Sequence, residues 1–219
     1  MFDALLVSTG TVALAEIGDK TQLLALLLAA RFRKPWPIIA GILVATLLSA
    51  RTQDGTTAAA AGRLFARAAN LAELARLSED EIGELIFPVG FYRQKAKHLV
   101  ALPRVINELF SGRIPEEIDE LCQLPGVGRK TANLVRALAF HLPAICVDTH
   151  VHRINNRLGY VATETPLETE LALRAKLPEE YWLRYNAVFV SFGQHTCRPL
   201  RPHCGTCPLV RYCARVGVA

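Results

Sequence analysis

Four cysteines near the carboxyl end of the chain constrain its fold more than any other feature. They follow the pattern Cys197-x6-Cys204-x2-Cys207-x5-Cys213, and only two other cysteines occur in 219 residues. Six cysteines are too few for a disulfide scaffold, so the clustering favours a metal or cluster site in a reducing compartment. The spacing is compatible with either Zn²⁺ or a [4Fe–4S] cluster, although zinc sites usually contain two short cysteine pairs.

The first fifty residues differ in composition from the rest of the chain. They contain only seven charged side chains, and the apolar runs over 5–30 and 36–50 approach the roughly 20 residues that span a bilayer. We expect no secretory signal peptide, because the basic start and the small-residue cleavage site of such peptides are missing. Residues 1–41 are predicted to form an apolar, membrane-like helical segment, with soluble sequence beginning between Gly41 and Arg51.

After Arg51 the sequence is typical of a succession of soluble helices. An alanine-rich helix is predicted to end at Leu77, and capping signals occur at 78–81 (Ser-Glu-Asp-Glu) and 165–168 (Thr-Pro-Leu-Glu). No stretch alternates strongly enough to predict a strand. With 51% apolar and 21% charged residues, the chain is too apolar for disorder and too charged for a polytopic membrane protein. The soluble part is therefore predicted to be all-α.

Residues 124–132 (Leu-Pro-Gly-Val-Gly-Arg-Lys-Thr-Ala) join two helical stretches through a tight turn, and the second is predicted to end near Phe140. Gly126 and Gly128 let the backbone approach a ligand and leave N–H groups at a helix N-terminus, which suits a phosphate. A plain helical connection is the competing interpretation. Lys130 lies in the first turn, where the helix dipole disfavours its charge and favours an amine able to attack a carbon electrophile. The alternative for Lys130 is a solvated surface lysine.

Residues 147–150 (Val-Asp-Thr-His) follow an apolar run and open another helix. The simpler interpretation of Asp148 is a helix N-cap. The other is a carboxylate that faces Lys130 and assists its deprotonation or stabilises a developing cation; the 18 residues between them do not decide. Arg198 and Arg201, between the first two cysteines, form a cationic loop suited to phosphates. The net charge of +5 permits such an anionic partner without identifying it.

Taken in this order, these motifs closely resemble endonuclease III, a family of the helix-hairpin-helix DNA glycosylase superfamily. The resemblance extends from about Ile42 to Cys213 and includes 48–54 (Leu-Ser-Ala-Arg-Thr-Gln-Asp) and the turn at 90–92 (Gly-Phe-Tyr). It implies the helix-hairpin-helix DNA glycosylase fold, with a six-helix barrel domain over 42–142 and a helical [4Fe–4S] cluster domain over 143–219. Lys130 argues against the adenine-glycosylase branch, which shares the cysteines but typically lacks that lysine.

The resemblance implies a bifunctional base excision repair enzyme that removes oxidised pyrimidines. Lys130 would attack C1′ of the damaged nucleotide, form a Schiff base and nick the strand by β-elimination, with Asp148 as the essential carboxylate. The ligands of the [4Fe–4S] cluster would be Cys197, Cys204, Cys207 and Cys213. The implied DNA contacts come from wedging or gap-filling positions, the hairpin and the cysteine loop: Arg51, Phe91, Gly126, Gly128, Arg129, His150, Arg198 and Arg201. The partner would be double-stranded DNA with damaged bases or abasic sites, bound by a monomer in the cytoplasm.

The N-terminal segment departs from that family. Residues 16–21 (Glu-Ile-Gly-Asp-Lys-Thr) match the acidic helix motif of a membrane family proposed to exchange Ca²⁺ or Mn²⁺ for protons. A single copy of the motif supplies half of an ion site, so we do not expect transport. The chain is interpreted as a chimera joined within 41–48, by natural fusion or by an assembly error. The alternatives to a working glycosylase are an inactive DNA-binding relic and a membrane-tethered chimera held by residues 1–41.

Overall fold

The structure, a computed structural model, describes residues 35–218. Two compact units are present, of which one ends at Phe140 and the other begins at His141; we call them the N-terminal and C-terminal units. The predicted membrane-like segment 1–41 lies outside the described residues except for 35–41, and the ion-exchange motif at 16–21 lies outside them entirely. Within 35–218, no helix combines the length and the apolar composition that crossing a bilayer requires.

Seven helices form the described part of the N-terminal unit. In chain order they are α1 (Pro35–Ser49), α2 (Asp54–Arg67), α3 (Leu71–Leu74), α4 (Glu79–Ile86), α5 (Tyr92–Phe110), α6 (Ile118–Leu121) and α7 (Arg129–Phe140). Helix α1 packs against α2, α5 and α7. The core that these helices share consists of aliphatic side chains, the largest of which include Leu43, Leu48, Leu64, Ile82, Leu99, Leu102 and Ile106.

Helix α1 runs without interruption across the predicted domain boundary at residues 41 and 42. Ile39 and Ala40, on the membrane-like side of that boundary, belong to the same buried core as Leu43 and Leu47. A helix that is apolar on every side suits either a bilayer or the centre of a protein. For residues 37–48, burial in the N-terminal unit accounts for the apolar sequence.

Helix ends follow local capping residues, with two departures from prediction. The capping signal at 78–81 is confirmed and forms a capping box: Ser78 Oγ accepts from Glu81 N–H, and the Glu81 carboxylate accepts from Ser78 N–H. The alanine-rich helix ends at Arg67 rather than Leu77, since Asn70 caps the separate helix α3 by accepting from Glu73 N–H. At 165–168, Thr165 caps Glu168 N–H as predicted, but Glu168 accepts from Glu164 N–H instead of completing the box.

The C-terminal unit contains α8 (Thr149–Leu158), α9 (Pro166–Lys176) and α10 (Trp182–His195). Short 3₁₀ turns lie at Glu179–Tyr181, Cys204–Thr206 and Val210–Tyr212. A small core joins α8 and α9 to the preceding extended chain through Ile145, Val147, Val151, Val161 and Leu173. No strand occurs in residues 35–218, which confirms the prediction of an all-α chain over that range.

Candidate functional site

The glycine-containing turn at 124–128 forms the hairpin between α6 and α7. Gly126 has φ +76°, a conformation that favours glycine, and a Cβ there would lie 2.5 Å from His98 Nδ1. Val127 is buried and its N–H donates to Leu124 O at 3.0 Å, which fixes the turn. At Gly128, by contrast, a Cβ would meet no atom within 4 Å. The hairpin therefore needs Gly126 for its own geometry and has open space beside Gly128.

Lys130 and Arg129 open helix α7. Lys130 is exposed and lies in the first turn, as predicted. The Arg129 guanidinium lies 3.4 Å from Asp119 Oδ1 of α6, an exposed pair that contributes little to stability. The N-terminus of α7 thus presents a primary amine and backbone N–H groups on one exposed end.

Arg51 and Phe91 come from two different turns and meet side by side. Their φ angles are +53° and +58°, in the left-handed region that non-glycine residues seldom occupy. The Arg51 guanidinium carbon lies 5.5 Å from the centre of the Phe91 ring, within range of a cation–π interaction. Phe91 is 64% exposed. A charged plane and an exposed ring, held together, are suited to contact nucleobases.

Lys95 of α5 lies beneath this pair and was not among the predicted site residues. Its Nζ donates to Leu48 O at 2.8 Å, to Ala50 O at 2.6 Å and to Thr52 Oγ1 at 3.2 Å. The residue is 9% exposed, and burial lowers the pKa of Lys95 from 10.5 to about 8. The signal in the sequence is its position four residues before the fully buried Leu99, which places a lysine on the apolar face of α5.

One pocket connects the Arg51–Phe91 pair to the hairpin. It is open to solvent, and its lining residues come from the end of α1, the start of α5 and the hairpin: Leu47, Ala50, Arg51, Phe91, Gln94, Lys95, His98 and Gly126. Gln94 Nε2 lies 2.9 Å from His98 Nε2. Three of the predicted DNA contacts, Arg51, Phe91 and Gly126, thus line one pocket. Gln94 and His98, which were not predicted, line it as well.

Asp148 caps helix α8. Its Oδ1 accepts from the N–H groups of His150 and Val151, both at 2.8 Å, so the simpler of the two predicted roles is confirmed. Lys130 belongs to the N-terminal unit and Asp148 to the C-terminal unit. Their joint action in catalysis stays a prediction.

His150 is held by neighbours within the C-terminal unit. Its Nδ1 lies 3.1 Å from Nη2 of Arg153, which also donates to Cys197 O at 2.8 Å. A Cβ on Gly193 would lie 2.3 Å from Nδ1 of the same ring. The position of the imidazole therefore depends on glycine at 193, a constraint that the local sequence around His150 does not reveal.

The four clustered cysteines line one pocket of about 410 Å³ of atom-free space, which we call the cysteine pocket. None of the six cysteines forms a disulfide. The part of the chain that the structure describes contains no group of three His, Cys, Asp or Glu side chains arranged to hold a metal ion. The four thiols nevertheless line the same pocket.

Arg157 of α8 organises the loop between the first two cysteines. Its Nη1 lies 3.6 Å from Cys197 Sγ and donates to Arg198 O at 2.6 Å, and its Nη2 donates to Pro199 O at 2.7 Å. On the opposite side, Arg215 N–H donates to Cys213 Sγ at 3.4 Å. The predicted contacts Arg198 and Arg201 are both exposed on this loop. The sequence motif indicated the loop but not the arginine that supports it.

The fold and these sites define a helix-hairpin-helix protein with the features of a DNA repair enzyme, and comparisons with known proteins agree. The family model for the HhH-GPD superfamily base excision DNA repair protein matches residues 44–179. Endonuclease III of Thermotoga maritima is 46% identical over 172 residues, which cover 78% of this chain and 81% of that protein. Endonuclease III of Bacillus subtilis is 38% identical, with 78% and 79% covered. The chain belongs to the HhH-GPD superfamily and is a base excision repair DNA glycosylase.

Solved structures support the same relationship. A trapped endonuclease III–DNA covalent intermediate has a TM-score of 0.75 and 33% identity, covering 90% of this chain and 96% of that one. A non-covalent endonuclease III–DNA complex has a TM-score of 0.74 and 33% identity, covering 87% and 92%. Endonuclease III homolog 2, chloroplastic, of Arabidopsis thaliana is 44% identical over 78% of this chain. The chain spans about half of that plant protein, 47% of its length.

A second family model matches the start of the chain. The divalent cation/proton antiporter GDT1 model matches residues 4–75, which overlap the first match over 44–75. The chain therefore joins sequence typical of two unrelated families, as predicted. Helix α2 and the last six residues of α1 fall within this overlap and are part of the N-terminal unit.

Proposed function

We propose that the chain is a bifunctional DNA glycosylase and apurinic/apyrimidinic lyase that removes oxidised pyrimidines from double-stranded DNA. The observation that carries the proposal is Lys130, an exposed amine in the first turn of α7 beside the open space at Gly128. A similar solved structure is a trapped covalent intermediate between endonuclease III and DNA. A lysine amine is the kind of nucleophile that forms such an intermediate at a sugar carbon.

In this mechanism the neutral amine of Lys130 attacks C1′ of the damaged nucleotide. A C1′–N bond to lysine forms while the bond from C1′ to the base breaks, and the base leaves after taking up a proton. Opening of the sugar ring converts the adduct to a protonated Schiff base. Loss of a C2′ proton then expels the 3′ phosphate by β-elimination, and water hydrolyses the Schiff base to free Lys130.

Asp148 would stabilise the positive charge that develops at the sugar as the base departs. Its Oδ1 is fixed by two backbone N–H groups at the start of α8. A carboxylate held in this way needs no reorganisation during the reaction, which is the property that makes an electrostatic contribution large. Asp148 thus acts both as the helix cap and as the charge that assists the reaction.

DNA binding would come from contacts that do not depend on sequence. The N-terminus of α7 and the open space at Gly128 suit a phosphate, and the exposed Arg198 and Arg201 suit two others. The target base must leave the stack to reach Lys130. Arg51, Phe91 and His150 would fill the gap and support the opposite strand.

We propose that the cysteine pocket holds a [4Fe–4S] cluster rather than Zn²⁺. Zinc sites usually contain two short cysteine pairs, whereas only Cys204 and Cys207 are that close in this sequence. A [4Fe–4S] cluster is held by four cysteine thiolates, and all four clustered cysteines line this pocket. When bound, the group cross-links the loop that carries Arg198 and Arg201 to the chain around Cys213.

A membrane tether is a second proposal, favoured by the GDT1 match over residues 4–75. The tether would be supplied by the chain before α1, since the apolar side chains of α1 from Ile39 to Leu48 are already buried in the N-terminal unit. Carbonate extraction of membranes from cells that express the full chain tests it. Retention in the membrane pellet is expected, and complete release into the supernatant would contradict the tether.

The main proposal is tested on a labelled duplex that contains one thymine glycol. The protein is expected to release the modified base and to cleave the strand on its 3′ side, and Lys130→Ala is expected to lose both activities. Lys97→Ala is the matched control, because Lys97 is an exposed lysine on α5. Base release without cleavage would contradict the lyase step, and binding without either product would favour the inactive relic.

A further inference from the structure

We propose that Lys95 is a positioning residue that holds the turn after α1 and the turn before α5 together, and thereby presents Arg51 beside Phe91 to DNA. The inference rests on the proposed function, because this pair matters only if the enzyme displaces a base from the stack. Lys95 does not touch DNA in this account. It acts through the two turns above it.

The first step of the argument is the match between the Lys95 ammonium and its acceptors. Three N–H donors meet three oxygens within 3.2 Å, from Leu48, Ala50 and Thr52. Leu48 O belongs to the last turn of α1, whose carbonyls have no partner within the helix and attract a cation. A buried charge that is satisfied in this way fixes the path of the chain just before Arg51.

Thr52 extends this anchor to the second turn. Its Oγ1 accepts from Lys95 Nζ and also from Gly90 N–H at 3.1 Å. The two turns are in close contact, since a Cβ on Gly90 would lie 2.5 Å from Arg51 O. Residues 38 positions apart in the chain are therefore joined through one hydroxyl, and Lys95 orients that hydroxyl.

The residues presented by these turns depend on outside support. Both Arg51 and Phe91 have positive φ, and such conformations persist in non-glycine residues when surrounding contacts hold them. The three acceptors of the Lys95 ammonium among residues 35–218 are uncharged oxygens. Without the ammonium, the carbonyls of Leu48 and Ala50 lose their shared donor and the turn is free to relax.

The test compares covalent trapping by borohydride on two duplexes with the same abasic site. In the first duplex, 2-aminopurine lies opposite the abasic site, and this base must be displaced. In the second duplex, a spacer without a base lies there, so no base has to move. In single-turnover reactions, Lys95→Met is expected to trap the first duplex at least tenfold more slowly while trapping the second at close to the wild-type rate. The rise in 2-aminopurine fluorescence on binding should fall in parallel.

Lys97→Met is the matched control, an exposed lysine two positions along α5, and both rates should stay at the wild-type values. Thr52→Val is a second, milder variant for use if Lys95→Met does not fold, and the same selective loss is expected. Equal slowing on both duplexes would mean a merely structural role and would overturn the inference, as would no slowing on either. If the wild-type protein traps neither duplex, the proposed function fails, and the inference fails with it.

Discussion

Replacing the two hairpin glycines separately should have opposite effects on stability. Gly126 combines φ +76° with a close approach to His98, whereas a Cβ on Gly128 meets nothing within 4 Å and its φ is not positive. Gly126→Ala is therefore expected to destabilise the N-terminal unit. Gly128→Ala is expected to leave it unchanged or slightly more stable, because alanine restricts the unfolded chain.

The size of the Gly126→Ala effect follows from three costs. The left-handed conformation costs an alanine about 1–2 kcal/mol. The new Cβ would lie 2.5 Å from His98 Nδ1 and 3.3 Å from His98 Cβ, so the whole side chain must move, at about 1 kcal/mol for a strained rotamer. That movement also breaks the contact of His98 with Gln94, worth about 1 kcal/mol. These costs together give an expected loss of about 3–4 kcal/mol.

Urea unfolding followed by circular dichroism measures these changes. In the His98→Ala background, where no ring blocks the new Cβ, Gly126→Ala should cost only the backbone part, about 1–2 kcal/mol. In a DNA-binding assay, Gly128→Ala should weaken binding to an abasic-site duplex about tenfold, equal to about 1.4 kcal/mol, since its methyl group occupies the space proposed for a phosphate. If Gly126→Ala is as stable as Gly128→Ala, the stated roles of the two glycines are wrong.

Three further results are expected. Asp148→Ala removes a cap that accepts two N–H bonds and should cost about 1 kcal/mol in thermal unfolding, while Asp148→Asn should be nearly as stable as wild type yet slower in single-turnover base release. Burial lowers the pKa of Lys95 to about 8. Between pH 8 and 10.5 the Lys95 amine therefore carries its proton in the unfolded chain but not in the folded chain. In urea titrations, the free energy of unfolding of the wild type relative to Lys95→Met should rise from about pH 8 to about pH 10. Cys207→Ser should reduce bound iron per chain in elemental analysis and weaken the visible absorption, and an unchanged iron content would contradict the assigned ligands.

Features that depend on a few neighbouring residues could be predicted from the sequence. Ser78 and Glu81 form the expected box, Asp148 caps α8, and α7 ends at Phe140 as predicted. Each of these depends on groups within one or two helical turns. The predicted end of the alanine-rich helix was wrong, because Asn70 offers a local cap that competes with continuing the helix.

Features that depend on distant partners could not be predicted in this way. The three acceptors of Lys95 lie 47, 45 and 43 positions before it in the chain, and the sequence reports only that a lysine lies on an apolar face. The apolar character of α1 is equally ambiguous, because a helix at the centre of a core and a helix in a bilayer have the same composition. Contacts over long distances in the chain decide between such alternatives.

The central claim is that Lys130 forms a Schiff base with an abasic site, and borohydride trapping with peptide mapping tests it most directly. The full chain is incubated with a duplex that contains one abasic site, reduced, digested and analysed by mass spectrometry. A cross-linked product with the sugar remnant on Lys130, absent in Lys130→Ala and present in Lys97→Ala, is the expected result. A trapped product that persists in Lys130→Ala, or that maps to another amine, would contradict the account.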